Sequence, residues 1–166
     1  EACLPPTRSV ACRWLRRWLL RAVPCSARFK VISDMPIVTI VGAGVIGASF
    51  ARLFAKAGWT VHLSDPRPDL DEIVGKQLAG LPVKGFSDLA KAAQGADFVQ
   101  EAGPERVPVK QEIYATLAAN TRDGVVLASS TSSLLPSVIA EGNPAADRII
   151  IGRSEEHTSE LQSPDL

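Results

Sequence analysis

Residues 37–65, IVTIVGAGVIGASFARLFAKAGWTVHLSD, leave this chain few ways to fold. Ile37 to Val41 is an almost unbroken apolar run rich in β-branched side chains, as a strand covered on both faces requires. Gly42-Ala43-Gly44-Val45-Ile46-Gly47 follows, with the spacing G-x-G-x-x-G. Gly42 permits a tight turn out of the strand, and Gly44 has no Cβ to hold the backbone away from a pyrophosphate. Gly47 lets the next helix lie close against the strand. That helix is expected to be amphipathic through Ile46, Phe50, Leu53, Phe54 and Ala57, and to stop at Gly58. Val61 to Ser64 reads as a second strand ending on Asp65, 18 residues past Gly47.

Strand, glycine turn, helix, strand and carboxylate form the first unit of a dinucleotide-binding fold. The helix start would offer free N–H groups and a positive dipole end to the phosphates. At Asp65 a carboxylate can accept hydrogen bonds from both ribose hydroxyls of an adenosine, and it would repel a 2′-phosphate, so NAD is favoured over NADP. The FAD fingerprint overlaps this one, and the turn alone leaves both open. An ordinary βαβ turn without a ligand is the plain alternative.

The remaining pattern is a doubly wound α/β domain with a mostly parallel sheet. Asp69 to Leu81 can hold a helix of two or three turns, and Val83 to Phe86 a short third strand. Ser87 is a suitable N-cap for a helix over Asp88 to Gln94, which ends at Gly95. Ala96 to Ala102 reads as a strand, where Glu101 is odd unless it lies near the carboxyl end. Glu105 to Ala119 forms a helix with Val109, Ile113 and Leu117 on one face, and Val125 to Ala128 the next strand. A serine-rich turn, Ser129 to Ser133, leads to a short helix over Leu134 to Glu141 with Pro136 in its first turn. Arg148 to Gly152 is the last strand. Arg67 could stack on an adenine, though a solvated loop arginine is the simpler expectation.

Three regions differ in charge. Residues 1–34 carry seven Arg/Lys against two acids, residues 35–152 ten against twelve, and residues 153–166 one against four. A nucleic-acid binder should place its basic charge on the folded domain, which here is mildly acidic, so that class is rejected. Apolar content is 46% and mean hydropathy +0.10. No apolar run approaches the ~20 residues that a helical membrane span needs. Cys3, Cys12 and Cys25 all lie in residues 1–34 with no zinc-site spacing. No metal site is expected.

Residues 1–34 do not read as part of the domain. Met35, the only methionine, stands two residues before the first strand. The segment is either untranslated upstream sequence read as protein, or a cloning remnant, or, from its arginines and the apolar face of Trp14, Leu15, Trp18, Leu19 and Ala22, a mitochondrial presequence. The compartment follows: cytoplasm in the first two cases, mitochondrial matrix in the third. Residues 153–166 lack apolar periodicity, and Arg153 to Ser163 resembles an in-frame translation of a sequencing adapter, so an artefactual, disordered tail is expected.

Four pieces in order carry a more specific resemblance: VGAGVIG, Asp65, ADFVQEAGPERVPVKQEIY and LASSTSSLLPSVIA. Together they resemble the NAD-binding domain of the L-3-hydroxyacyl-CoA dehydrogenase superfamily, which includes lambda-crystallin/L-gulonate dehydrogenase and carnitine dehydrogenase branches. The likeness spans Met35 to Gly152 and decides for NAD over FAD. It implies that Gly42, Ala43, Gly44, Val45, Ile46 and Gly47 hold the pyrophosphate, Asp65 the adenosine ribose, and Glu105 and Lys110 the nicotinamide half. Without the motif these last two would be a first-turn acid and a solvated lysine. Ser132 matches the family serine beside nicotinamide and substrate, where it hydrogen-bonds the reacting oxygen. A hydroxyl at a strand's carboxyl end can orient a carbonyl where charge develops.

The same resemblance implies an oxidoreductase of fatty-acid or hydroxy-acid metabolism, with a small 3-hydroxy substrate and a helical second domain that pairs two subunits in the parent protein. There are departures. Ser130 stands where many relatives have Asn, which is nearer the crystallin/gulonate branch. Only 36 positions separate Asp65 from Glu101, fewer than in acyl-CoA enzymes, so no CoA contact is carried over. Arg153 stands where the family carries its general-base histidine. His157 is no catalytic candidate, and His62, within strand two, is expected to serve packing. The chain as given is therefore expected to bind NAD with little or no turnover. Two rivals stand beside this reading: a non-catalytic NAD-binding or crystallin-like module, and a 3-hydroxyacid reductase of the phosphogluconate type, against which Asp65 argues.

Overall fold

The computed structural model describes residues 35–153. The presequence-like segment, all three cysteines, the adapter-like tail beyond Arg153, and His157 lie outside these residues. Six parallel strands form one sheet: β1 (Ile37–Val41), β2 (Thr60–Ser64), β3 (Val83–Phe86), β4 (Phe98–Glu101), β5 (Val126–Ser129) and β6 (Ile149–Ile151). Their order is β3-β2-β1-β4-β5-β6, and every neighbouring pair is parallel. The helices are α1 (Val45–Lys56), α2 (Leu70–Gln77), α3 (Leu89–Ala93), α4 (Val107–Asn120) and α5 (Pro136–Ile139), with a 3-10 turn at Ala146–Arg148 before β6. Strand order reverses between β1 and β4, the switch point at which doubly wound sheets bind ligands.

The period of two along each strand divides the core between the two faces of the sheet. On β1, Val38 and Ile40 pack with Val61, Leu63, Leu70 and Ile73 and with Ala51 and Ala55 of α1. Val41 faces the other way, toward Val99, Tyr114, Leu117, Leu127 and Ile139. Thr39 shares that second face, and its buried hydroxyl donates to the Ala92 carbonyl at 2.7 Å.

The helices depart from the expected faces in an instructive way. The buried residues of α1 are Gly47, Ala48, Ala51 and Ala55, whereas Leu53 and Ile46 are exposed. Small side chains win because this helix lies against the strands at close range. On α4 the buried stripe is Lys110, Tyr114 and Leu117, one position on from Val109 and Ile113. The N-cap of α3 is Asp88 rather than Ser87: its carboxylate accepts the N–H groups of Ala90 and Lys91. Gly58 and Gly95 follow α1 and α3 with φ of 89° and 76°, as a left-handed helix exit requires. His62 is a packing residue: its Nδ1 lies 2.9 Å from the Ala92 carbonyl oxygen and its ring 4.7 Å from that of Phe86.

Candidate functional site

The glycine turn is built as its spacing demands. Gly42 sits at φ 98°, and a Cβ there would approach the Ala102 carbonyl oxygen to 2.7 Å. A Cβ on Gly47 would lie 1.8 Å from the Gly42 carbonyl oxygen, so only glycine allows the helix this approach. At Gly44 a Cβ would meet nothing within 4 Å: that face is open. Gly44 is the N-cap of α1, with no side-chain cap and no acid in the first turn. The first N–H groups and the positive end of a 12-residue helix are thus left for an outside anion. Val45 and Ile46 flank that opening as exposed apolar side chains.

Asp65 lies just past the end of β2 and reaches back to the turn. Its Oδ2 accepts the Ala43 N–H at 2.7 Å, and its Oδ1 accepts the Arg67 N–H at 3.0 Å. A cleft of about 390 Å³ opens beside it, lined by Ala43, Gly44, Arg67, Asp69, Ile73 and Lys76 among others. Arg67 is an exposed loop arginine, as expected, and its Nε and Nη2 donate to the two Asp69 oxygens at 2.6 and 2.9 Å.

Across the switch point, the carboxyl ends of β4 and β5 carry a second constellation. Glu105 lies two residues before α4 and reaches over to the serine-rich turn. Its Oε1 accepts the Ser132 N–H at 2.9 Å, and its Oε2 accepts the Thr131 hydroxyl at 2.8 Å. Partial burial pushes the Glu105 carboxyl up, but these two donors and the nearby Lys110 outweigh it and hold the group below the ordinary glutamate range. The Ser132 side chain is exposed at the mouth of this bracket.

Lys110 is the surprise. It is neither solvated nor on the open face: it is 1% exposed, with Nζ 2.8 Å from both oxygens of the equally buried Glu101 and 3.9 Å from Glu105 Oε2. Glu101, Ser129 and Thr131 are buried members that sequence reasoning did not select. The only signal was the oddity of a glutamate in an apolar strand.

Comparison with known proteins identifies the lineage. The family described as 3-hydroxyacyl-CoA dehydrogenase, NAD binding domain, matches residues 37–81 and 71–152. The chain belongs to that family.

An L-carnitine dehydrogenase/betainyl-CoA thioesterase of Ruegeria pomeroyi is 33% identical over 133 residues, covering 70% of this chain and 27% of that protein. A lambda-crystallin homolog of Bos taurus is 38% identical over 126 residues, covering 63% of this chain and 39% of that one. Among solved structures, a diketoreductase superposes with TM-score 0.64 at 27% identity, over 76% of this chain and 52% of that one. A 3-hydroxybutyryl-CoA dehydrogenase from Escherichia coli K12 gives 0.60 at 25% identity, over 70% and 29%. The chain thus spans only 27% and 39% of the lengths of these two sequence relatives.

NAD is the cofactor of this dehydrogenase family's domain, and the residues present fit it. The open face of Gly44, the uncapped start of α1 and the Asp65 carboxylate would supply, in order, room, N–H donors and a ribose acceptor. The expectation of a doubly wound α/β domain holds, with a sheet that is parallel throughout. No described helix is long and apolar enough to cross a membrane. Among the described residues there is no group of three or more metal-ligating side chains.

Proposed function

We propose that this chain holds the NAD half of a dehydrogenase acting on a 3-hydroxyacyl-CoA or a small 3-hydroxy acid. The observation that carries the proposal is the pairing of two features on opposite sides of the switch point. One is the open glycine turn with Asp65, and the other is the Glu105–Ser132 bracket. A dinucleotide with its adenosine ribose on Asp65 and its pyrophosphate at α1 must extend its other half across β1 toward β4 and β5. On this reading the nicotinamide half lies at Glu105 and Ser132, with the buried Lys110 beneath them. Val45 and Ile46, exposed in the structure, would be covered by the ligand.

Bound NAD would supply the hydride acceptor: substrate C3 would give up hydride and its hydroxyl a proton to a base, leaving a C3 carbonyl. This chain's residues orient the reactants. The Ser132 hydroxyl would hydrogen-bond the C3 oxygen, and Glu105 would fix Ser132 through its backbone N–H. The base is proposed to be a histidine at the position held here by Arg153, with substrate selection and subunit pairing in a further domain. Among the described residues the one histidine, His62, is committed to packing on β2. A crystallin-like, non-catalytic role is the second reading, favoured by the likeness to the lambda-crystallin homolog.

NADH and NADPH titrations of the purified chain, followed by nicotinamide fluorescence, test the cofactor assignment. Tighter binding of NADH is expected, and equal or tighter binding of NADPH would sink it. Turnover of 3-hydroxybutyryl-CoA by this chain should be weaker than that of an intact relative by at least two orders of magnitude, roughly the contribution of a general base.

A further inference from the structure

Glu101 closes β4 with no exposed surface, and its carboxylate accepts four hydrogen bonds from three segments of chain. Oε1 takes the Gly103 N–H at 2.6 Å and Lys110 Nζ at 2.8 Å. Oε2 takes Lys110 Nζ at 2.8 Å and the Ser129 hydroxyl at 2.6 Å. Each donor leads on to the bracket at the site. Gly103 begins the turn that carries Glu105. Lys110, one turn into α4, stands between the two carboxylates, 2.8 Å from Glu101 and 3.9 Å from Glu105. Ser129 Oγ in turn accepts the Thr131 N–H at 3.3 Å, and the Thr131 hydroxyl donates to Glu105.

The position has little room for substitutes. A Cβ on Gly103 would meet Glu101 Oε1 at 3.0 Å, so the turn is drawn tightly over the carboxylate. A buried ion pair is poor value for stability, since the desolvation of both charges offsets most of their attraction. What such a pair can supply is a single geometry. We infer that Glu101 is a positioning residue: through Gly103, Lys110 and Ser129 it sets the Glu105–Thr131–Ser132 bracket, and so governs binding of the nicotinamide ring of NAD without affecting the ADP-ribose portion. This rests on the proposed placement of nicotinamide at the ends of β4 and β5.

ADP-ribose isolates the contribution of the ring, because it carries the adenosine, the pyrophosphate and the second ribose but no nicotinamide. Calorimetric titration of the whole chain with NADH and with ADP-ribose is the test, on wild type, Glu101→Gln and Ser129→Ala. Loss of one charge-assisted bond should weaken NADH about threefold in Ser129→Ala, and loss of the carboxylate about tenfold in Glu101→Gln, with ADP-ribose unchanged within about twofold. Ser129→Ala leaves the ion pair in place, so it decides alone if Glu101→Gln does not fold by circular dichroism. Ser129→Thr, which keeps the hydroxyl, should restore NADH binding. Unchanged NADH affinity, or equal losses for both ligands, would make Glu101 a structural anchor only and overturn the inference. Wild-type binding of NADH no tighter than ADP-ribose would instead remove the nicotinamide placement itself, and the inference with it.

Discussion

Glu105 accepts the backbone N–H of Ser132 at 2.9 Å, joining the approach to α4 to the turn after β5 across 27 positions of sequence. The bond holds the main chain of Ser132, whose side chain is exposed at the mouth of the site. With the Thr131 hydroxyl on its other oxygen, the same carboxylate fixes two consecutive residues of the turn.

Replacing Glu105 with Ala should therefore loosen the turn. The side chain is 43% exposed, so the stability loss should be modest, about 1 kcal/mol after allowing for solvent screening. The pH dependence has a definite sign. A carboxyl held below its ordinary value contributes stability above the unfolded pKa, about 4.3, and loses it as pH falls through the lower folded value. Urea unfolding at pH 7 and at pH 3 should show the wild-type advantage over Glu105→Ala shrinking in acid. An advantage that grows in acid would contradict it.

The last two glycines of the turn should separate stability from binding. Gly47→Ala forces a Cβ to 1.8 Å from the Gly42 carbonyl oxygen, so α1 must move off the strand. A loss of about 2 kcal/mol or more is expected, of the size of an overpacked core. Gly44→Ala meets nothing within 4 Å and should unfold like wild type, yet bind NADH at least about tenfold more weakly because the methyl stands where the pyrophosphate approaches. Thermal melts with and without NADH distinguish the two. Equal stability losses would mean that Gly44 is structural too.

Most of the architecture was legible because it rests on local rules. Val38 to Val41, the Gly42 turn and the Gly58 helix exit each announce themselves within a few residues. The errors came where contact distance or partner choice decides. Periodicity assigned Leu53 to the core of α1, but a helix pressed onto the sheet through Gly47 has room only for Ala51 and Ala55 there. Glu101 and Lys110 are nine positions apart, on different elements, and nothing in a linear reading pairs them. The outer edge of the candidate site, Asp65 and Ser132, is more legible than the buried atoms beneath it, because exposed polar groups at strand ends carry a pattern and a satisfied core carboxylate does not.

Tyr114 is the one tyrosine of the chain, and its buried hydroxyl has no hydrogen-bond partner. Burial first, and then the charge of Glu101, pushes its ionisation far above the ordinary range. A phenol with a raised folded pKa contributes stability that is complete below about pH 10 and is lost as pH rises toward the folded value. Absorbance at the phenolate band should therefore stay silent past pH 10 and appear only with unfolding. Tyr114→Phe removes an unsatisfied polar atom and should change stability by less than about 1 kcal/mol. A normal titration near pH 10 in the folded chain would refute this burial.

Asp65 holds the turn and is proposed to hold the cofactor ribose as well, and the two roles can be measured apart. Its Oδ2 holds the Ala43 N–H at 2.7 Å, which an amide oxygen can still do in Asp65→Asn. Stability should thus fall by only about 1 kcal/mol, the difference between a charged and a neutral acceptor. NADH affinity should drop about tenfold, since one charge-assisted bond to a ribose hydroxyl is lost. The charge that repels a 2′-phosphate is also gone, so the preference for NADH over NADPH should narrow. It should not invert, because the nearest cation, Arg67, is held by both oxygens of Asp69 and is not available to grip a phosphate. Adding Asp69→Asn releases that guanidinium and should improve NADPH binding beyond the single variant. Paired fluorescence titrations of the three proteins decide the point: NADPH binding by Asp65→Asn alone as tight as wild-type NADH binding would show that Asp69 does not restrain Arg67.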